Sequence, residues 1–217
     1  MRGCQFLTEA LAIRRLNCRM TEPTHLADDD LLRRMDSGDE AAFTTLYRRR
    51  HPAVYRFALQ MSGSPSLAEE VTQEVFMTLL SHRASYDGSK GPLAAYLYGI
   101  ARRQVWRRLA LRRRQLPIPA PEDEDARTPE SLIAHSQVER DLVRDEAVRG
   151  LRRAILALPA RYREAVVLCD LHELTYVDAA RVMGCAVGSV RSRLHRARAL
   201  LSERRASRKS SSSGCLV

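Results

Sequence analysis

At 217 residues the chain is long enough for one domain or two small ones, and a hydrophobic fraction of 45% suffices for packed cores. Aromatic residues make up only 6%, which argues against a β-sandwich and for small all-helical domains with aliphatic cores. The net charge of +10 suits nucleic acid, or less often an anionic membrane, as a partner. Only Lys90 and Lys209 among the 36 basic residues are lysine, an imbalance that coding bias alone can produce, so the placement of the charges matters more than their sum.

Residues 1–25 read as a disordered extension. Glu9 interrupts their apolar stretch and no small-residue cleavage site follows, which is unlike a signal peptide. Met20 opens a more natural beginning, so residues 1–19 read as a mis-assigned start or a loose extension. No apolar run approaches the roughly 20 residues of a membrane span, and no membrane insertion is expected.

The first periodic block starts near Asp28. Phe43, Leu46, Tyr47, Val54, Phe57, Ala58 and Met61 keep helical spacing, and Pro52 is expected to kink or split the helix. After the break at 63–66, a second helix carries Val71, Val75, Phe76, Leu79 and Leu80. A loop spans 83–92. A third helix carries Leu93, Tyr96, Leu97, Ile100 and Ala101, then runs into arginines (Arg102, Arg103, Arg107, Arg108, Arg112 to Arg114) with no acid among them. Residues 115–135 change character: between Leu116 and Ser131 stand four prolines and five acids against one arginine, the composition of a solvated linker. It divides the chain into an N-terminal domain over 26–114 and a C-terminal one over 136–204. One helix is expected over about 137–157, a break at Leu158–Pro159, and a further helix after it. Residues 205–217 read as a disordered tail.

The stretch Thr175 to Arg198 is the most informative. Thr175 with Asp178 forms a capping-box pattern, Gly184 is suited to the left-handed residue that ends a helix, and small Ala180 lets a second helix cross closely. Val190 and Leu194, four apart, face back onto the first helix. Ser189, Arg191, Ser192, Arg193, His195 and Arg196 are left for the other face. This is the pattern of a helix-turn-helix, whose second helix enters the DNA major groove. Arginine fits that task because its fork matches two acceptors of guanine or a phosphate. A solvated basic helix end is the competing reading. Neither Cys185 nor Ala186 is a good N-cap for the second helix.

The five cysteines (Cys4, Cys18, Cys169, Cys185, Cys215) are odd in number and contain no CxxC, which is neither a disulfide framework nor a zinc pattern. Cys169 and Cys185 fall at apolar helical positions and read as buried thiols, in keeping with a reducing cytoplasm. No Gly-rich phosphate loop is present, and the six histidines do not group with carboxylates in a catalytic spacing. The expectation is a non-enzyme with no metal, no cofactor and no small-molecule substrate.

The segment from Leu158 to Leu201 closely resembles region 4 of bacterial extracytoplasmic-function (ECF) sigma factors, in the Leu158-Pro159 and Arg163-Glu164 opening, Tyr176, Ala180, Gly184 and the run Gly188 to Arg198. Residues 68–80 and 91–109 resemble region 2 of the same family. Tyr96, Arg103 and Arg107 depart from its usual Trp, Asn and acid, which bears on promoter preference.

The resemblance implies two small helical domains joined by a flexible linker, region 2 over 26–114 and region 4 over 136–204. It implies a factor that binds RNA polymerase core, directs it to promoters and promotes DNA melting. An anti-sigma factor is a further partner that it implies for many relatives. Glu70, Gln73 and Glu74 would dock on the polymerase, although a solvated acidic face is the plain alternative. Tyr86, Lys90, Tyr96, Arg102, Arg103 and Arg107 would hold the −10 element, with Tyr86 and Lys90 preferred. Tyr98 and Trp106 are further aromatic faces on that helix. Ser189, Arg191, Ser192, Arg193 and Arg196 would read the −35 element, with Arg198 and Arg204 near phosphate or solvent. The alternative is a two-domain helix-turn-helix regulator acting without core polymerase.

Overall fold

The computed structural model describes residues 27–82, 85–115 and 142–212, and among them it is helical with no strand. The expected extension, residues 116–135 of the expected linker and the last five residues of the expected tail lie outside the described residues, whereas Gln115 ends a helix and residues 205–212, expected to be disordered, continue one.

Four helices build the N-terminal half: α1 (Asp28–Asp36), α2 (Glu40–Ser62), α3 (Pro65–Ser81) and α4 (Leu93–Gln115), with a short 3-10 turn at Gly88–Lys90. Local chemistry sets their ends. The Asp39 side chain accepts from the amides of Ala41 and Ala42 at the start of α2. Ser64 accepts from Leu67 at the start of α3, with Pro65 in the first turn, where its missing N–H costs nothing. Of the two outcomes expected at Pro52, a kink or a split, the split does not occur, and α2 runs on through it. The proline sits on the exposed side, while Val54, Phe57, Ala58 and Met61 beyond it are fully buried. Packing of both stretches against α3 and α4 outweighs the one backbone bond that the proline removes.

The C-terminal half has α5 (Leu142–Leu156), α6 (Ala160–Val166), a π-helical segment at Val167–Leu171, α7 (Tyr176–Met183) and α8 (Val187–Ser212). Leu158–Pro159 breaks the chain as expected. The π segment was not legible in the sequence. It closes with the His172 amide on the Val167 carbonyl at 3.0 Å, and this wide turn delivers His172 to the N-terminal half.

Each half is a helical bundle, but the buried residues of both form one continuous core. Helix α4 packs along α7, and α2 meets α5 and the π segment. Two glycines allow the closest approaches. A Cβ on Gly63, the left-handed C-cap of α2, would stand 3.1 Å from a Leu156 methyl, and one on Gly91 would stand 2.8 Å from the Arg181 guanidinium.

Phe57 is fully buried where the halves meet, its ring 5.1 Å from that of Tyr98 and 5.8 Å from that of His172. Phe57→Ala is expected to lower the unfolding free energy by about 3–5 kcal/mol, read by urea denaturation.

Candidate nucleic-acid interface

The turn between α7 and α8 forms as its residues dictate. Thr175 Oγ1 accepts from the Asp178 amide at 3.1 Å and donates to the Asp178 carboxylate at 2.6 Å. Gly184 takes the left-handed conformation (φ 64°), and the Cys185 amide reaches back to the Ala180 carbonyl at 3.0 Å. The α8 helix then shows two faces. Val190, Leu194, Ala197 and Leu201 are buried at helical spacing against α6 and α7. Arg191, Ser192, His195 and Arg196 are exposed as one stripe, with Ser189 and Arg193 half-buried at its edges.

Neighbours aim parts of that stripe. The Arg191 guanidinium lies over the Tyr176 ring at 5.7 Å, and Ser192 Oγ donates to the Ser189 carbonyl at 3.0 Å. Arg193 leans back over the turn, 3.5 Å from Cys185 Sγ. Arg198 leaves the stripe and forms a two-pronged pair with Asp170, at 2.6 and 3.1 Å. Arg204 Nη1 reaches the Ala154 carbonyl at 3.5 Å. Both cysteines differ from expectation. Cys169 and Cys185 are half-buried rather than buried, and Cys185 sits in the turn instead of a helix. Burial still pushes the Cys169 thiol up to about 11.

In the N-terminal half, Tyr86 and Tyr96 lie side by side with ring centroids 5.5 Å apart. They stand by a cleft of about 430 Å³ that Tyr86 lines with Asp28, Asp29, Arg49, Arg50 and Gly91. The Tyr86 hydroxyl is 3.0 Å from Asp29 and 3.2 Å from the Gly91 carbonyl. Burial, helped by Asp29, pushes its phenol up to about 12, so it remains a hydrogen-bond donor near neutrality. Asp28 accepts from both Arg49, at 3.0 Å, and Arg50 Nε, at 2.7 Å. Sequence reasoning missed this acid–arginine clamp. The signal was present as three acids at 28–30 and three arginines at 48–50, but nothing in the linear order says that they meet. Lys90 is well exposed, 3.1 Å from Asp87.

Helix α4 carries three stripes. Leu97, Ile100, Ala101 and Val105 face its own bundle. Arg103 and Arg107, one turn apart, are exposed. Tyr98, Arg102 and Trp106, at four-residue spacing, face the C-terminal half. Tyr98 is therefore a buried side chain rather than an open aromatic face: its hydroxyl bonds His172 Nδ1 at 2.9 Å. Arg102 Nε donates to Glu164 Oε1 at 2.6 Å, and Trp106 Nε1 donates to the same oxygen at 2.5 Å. Glu164 is 3% exposed and had no role in the sequence reading beyond its motif position.

Of the expected polymerase-docking residues on α3, Gln73 is exposed and Glu74 half-buried. Glu70, also exposed, is 3.2 Å from Arg108 Nε of α4, a bond within the half. Among the described residues no group of His, Cys, Asp or Glu is arranged to hold a metal, and no helix is long and apolar enough to cross a membrane.

This pairing of a helix-turn-helix with a basic-ended helical bundle is matched by two family models. Residues 46–115 match sigma-70 region 2, and residues 149–201 match sigma-70 region 4. An RNA polymerase sigma-H factor of Pseudomonas aeruginosa is 31% identical over 81% of this chain and 92% of its own length. The chain belongs to the ECF sigma factors of the sigma-70 family. It is also 33% identical to the ECF sigma factor SigE of Mycolicibacterium smegmatis, over 82% of this chain and 66% of that one. Among solved structures, the sigma factor RpoE of Bartonella quintana, crystallised with the anti-sigma factor NepR, matches with a TM-score of 0.56. Its identity is 26%, over 74% of this chain and 94% of its own. As a member of this family, the protein acts with RNA polymerase in promoter-specific initiation of transcription.

One pH dependence follows from the seam. His172 bonds Tyr98 through Nδ1 and Gln60 through Nε2, at 2.9 and 2.8 Å. Burial, with Arg56 nearby, pushes its pKa down from 6.5 to about 3. The unfolded chain therefore takes up this proton first on acidification. The stability tied to a neutral His172 is complete above about pH 6.5, declines below it, and is lost by about pH 3. The melting temperature of the wild type is expected to fall more between pH 7 and pH 5 than that of His172→Asn, measured by circular dichroism.

Proposed function

We propose that this ECF sigma factor reads its promoter with two surfaces. Ser189, Arg191, Ser192, Arg193 and Arg196 of α8 contact the −35 element in the major groove. Tyr86, Lys90, Tyr96, Arg102, Arg103 and Arg107 hold the −10 element. The observation that carries the reading is the exposed Arg191, Ser192 and Arg196 stripe on a helix whose opposite face is buried. Packing fixes the helix, and exposure leaves its base-reading side free.

At the −10 element the proposed task is strand opening. Unstacking DNA costs on the order of 1–2 kcal/mol per base-pair step. The cleft has room for an unstacked base, the Tyr86 ring on its wall suits stacking, and the exposed Lys90, Arg103 and Arg107 suit phosphates. Arg49 and Arg50 join this site, and Asp28 holds both while offsetting only one of their two charges. No covalent step is involved, and the working compartment is the cytoplasm.

Glu70, Gln73 and Glu74 are the proposed docking residues for core polymerase, through charge-assisted bonds to cationic groups. We divide the chain functionally at 26–114 and 136–204, a division supported by the two region matches. The tether over 115–135 would raise the effective concentration of one reading domain once the other is bound. An anti-sigma factor is a proposed regulator, since the matched RpoE structure contains one.

Run-off transcription with core polymerase on mapped promoters tests the assignment. Arg191→Ala is expected to relax discrimination at one −35 base pair by about 1–3 kcal/mol. Lys90→Ala is expected to weaken −10 binding on all sequences and to flatten its salt dependence. Glu74→Arg is expected to weaken capture of core polymerase in a pull-down. Normal behaviour of all three would overturn the assignment of these residues to promoter reading and polymerase docking.

A further inference from the structure

The two proposed DNA-reading surfaces are not equally open. The α8 stripe faces outward. Part of the −10 surface is turned inward, against the C-terminal half. Arg102 and Trp106 both donate to one carboxylate, Glu164, which is almost fully buried. Arg102 Nη2 adds a longer contact to the second oxygen at 3.4 Å. One turn of helix earlier, Tyr98 is held by His172, which is itself held by Gln60. At the head of the helix, the Arg181–Asp178 pair of α7 stands directly over Gly91, at the edge of the cleft.

We propose that Glu164 is an internal stand-in for a DNA phosphate, so that closure of the two halves and capture of the −10 strand by α4 exclude one another. The proposal rests on the assignment of α4 to the −10 element. A guanidinium and an indole N–H converging on one oxyanion are the donors that a backbone phosphate would use. Glu164 comes from the same chain, so it competes at high effective concentration and without needing a second protein. The closed form therefore keeps the −35 reader exposed while silencing part of the −10 reader. Free protein in this form can touch duplex DNA through α8 but does not grip a single strand through Arg102 and Trp106. Whatever separates the halves, whether polymerase or melted DNA, must bind the open form more tightly than the closed one. The apparent affinity for the strand falls by the fraction of molecules that are open.

The test uses a built-in probe, because Trp106 is the only tryptophan in the sequence. The full-length chain is titrated with a single-stranded oligonucleotide carrying the non-template −10 sequence of a mapped promoter. Trp106 emission and affinity are read together. In the wild type, bound oligonucleotide is expected to shift Trp106 emission. Glu164→Gln is expected to shift that emission before any DNA is added and to bind the oligonucleotide about tenfold more tightly. His172→Ala, which cuts a separate bond across the same seam, is expected to move affinity in the same direction. It also serves as the reporter should Glu164→Gln fail to fold by circular dichroism. Wild-type binding with Trp106 emission unchanged would overturn the proposal. So would wild-type affinity in the folded variants. Run-off transcription by the wild type with core polymerase, done alongside, separates the two ideas. Active transcription with no change in the variants sinks only the closure proposal. No transcription, with oligonucleotide binding still tightened in Glu164→Gln and His172→Ala, sinks only the promoter assignment.

Discussion

Two adjacent buried ions fix the register in which the halves of this molecule meet. Arg163 and Glu164 stand side by side on α6, each 3% exposed. Arg163 donates to backbone carbonyls on both sides of the seam: Met61 at the end of α2, at 2.7 Å, and Leu158 of its own half, at 3.1 Å, with Leu156 as a further acceptor. Glu164 accepts from Arg102 and Trp106 of α4. Burying either ion alone would be costly. With Met61 accepting from Arg163 and with Arg102 and Trp106 donating to Glu164, both ions are bonded across the seam, which sets its geometry more than its strength. The remaining seam depends on this registration: Leu156 against Gly63, His172 between Tyr98 and Gln60, and Arg181 over Gly91.

The seam also explains why one helix serves several tasks. A helix 23 residues long offers stripes to different neighbours at once. On α4 the apolar stripe holds the N-terminal bundle, the Tyr98–Arg102–Trp106 stripe meets the other half, and the Arg103–Arg107 stripe faces water. A buried ion pair is a weak source of net stability but a strong source of geometric definition. That suits a contact that must be specific when made and must also be broken. The contrast with Arg198 is instructive. Its two-pronged bond to Asp170 lies at the surface, within one half, and steadies α8 without joining the domains.

Local signals in the chain were read well where local physics decides. The Thr175–Asp178 cap, the Gly184 corner and the inward Val190 and Leu194 formed as the residue types require, because each depends on neighbours within four positions. Pro52 did not split its helix, because tertiary packing on both sides outweighed one lost backbone bond. Cys169 and Cys185 misled: apolar-looking positions near a seam or a turn are only half covered. Tyr98 looked like an available aromatic because nothing in the sequence places His172 against it.

By itself the sequence determined that the chain is helical, that a helix-turn-helix lies near its end with a basic outer face, and which family it resembles. Those features rest on periodicity, capping and short motifs, all of which act over a few residues. Only the tertiary structure decided that the two halves share a core, that Glu164 meets Arg102 and Trp106 more than fifty positions away, and that Asp28 clamps Arg49 and Arg50 beside Tyr86. Those pairings depend on which stripes of distant helices face one another, and linear spacing carries no record of that.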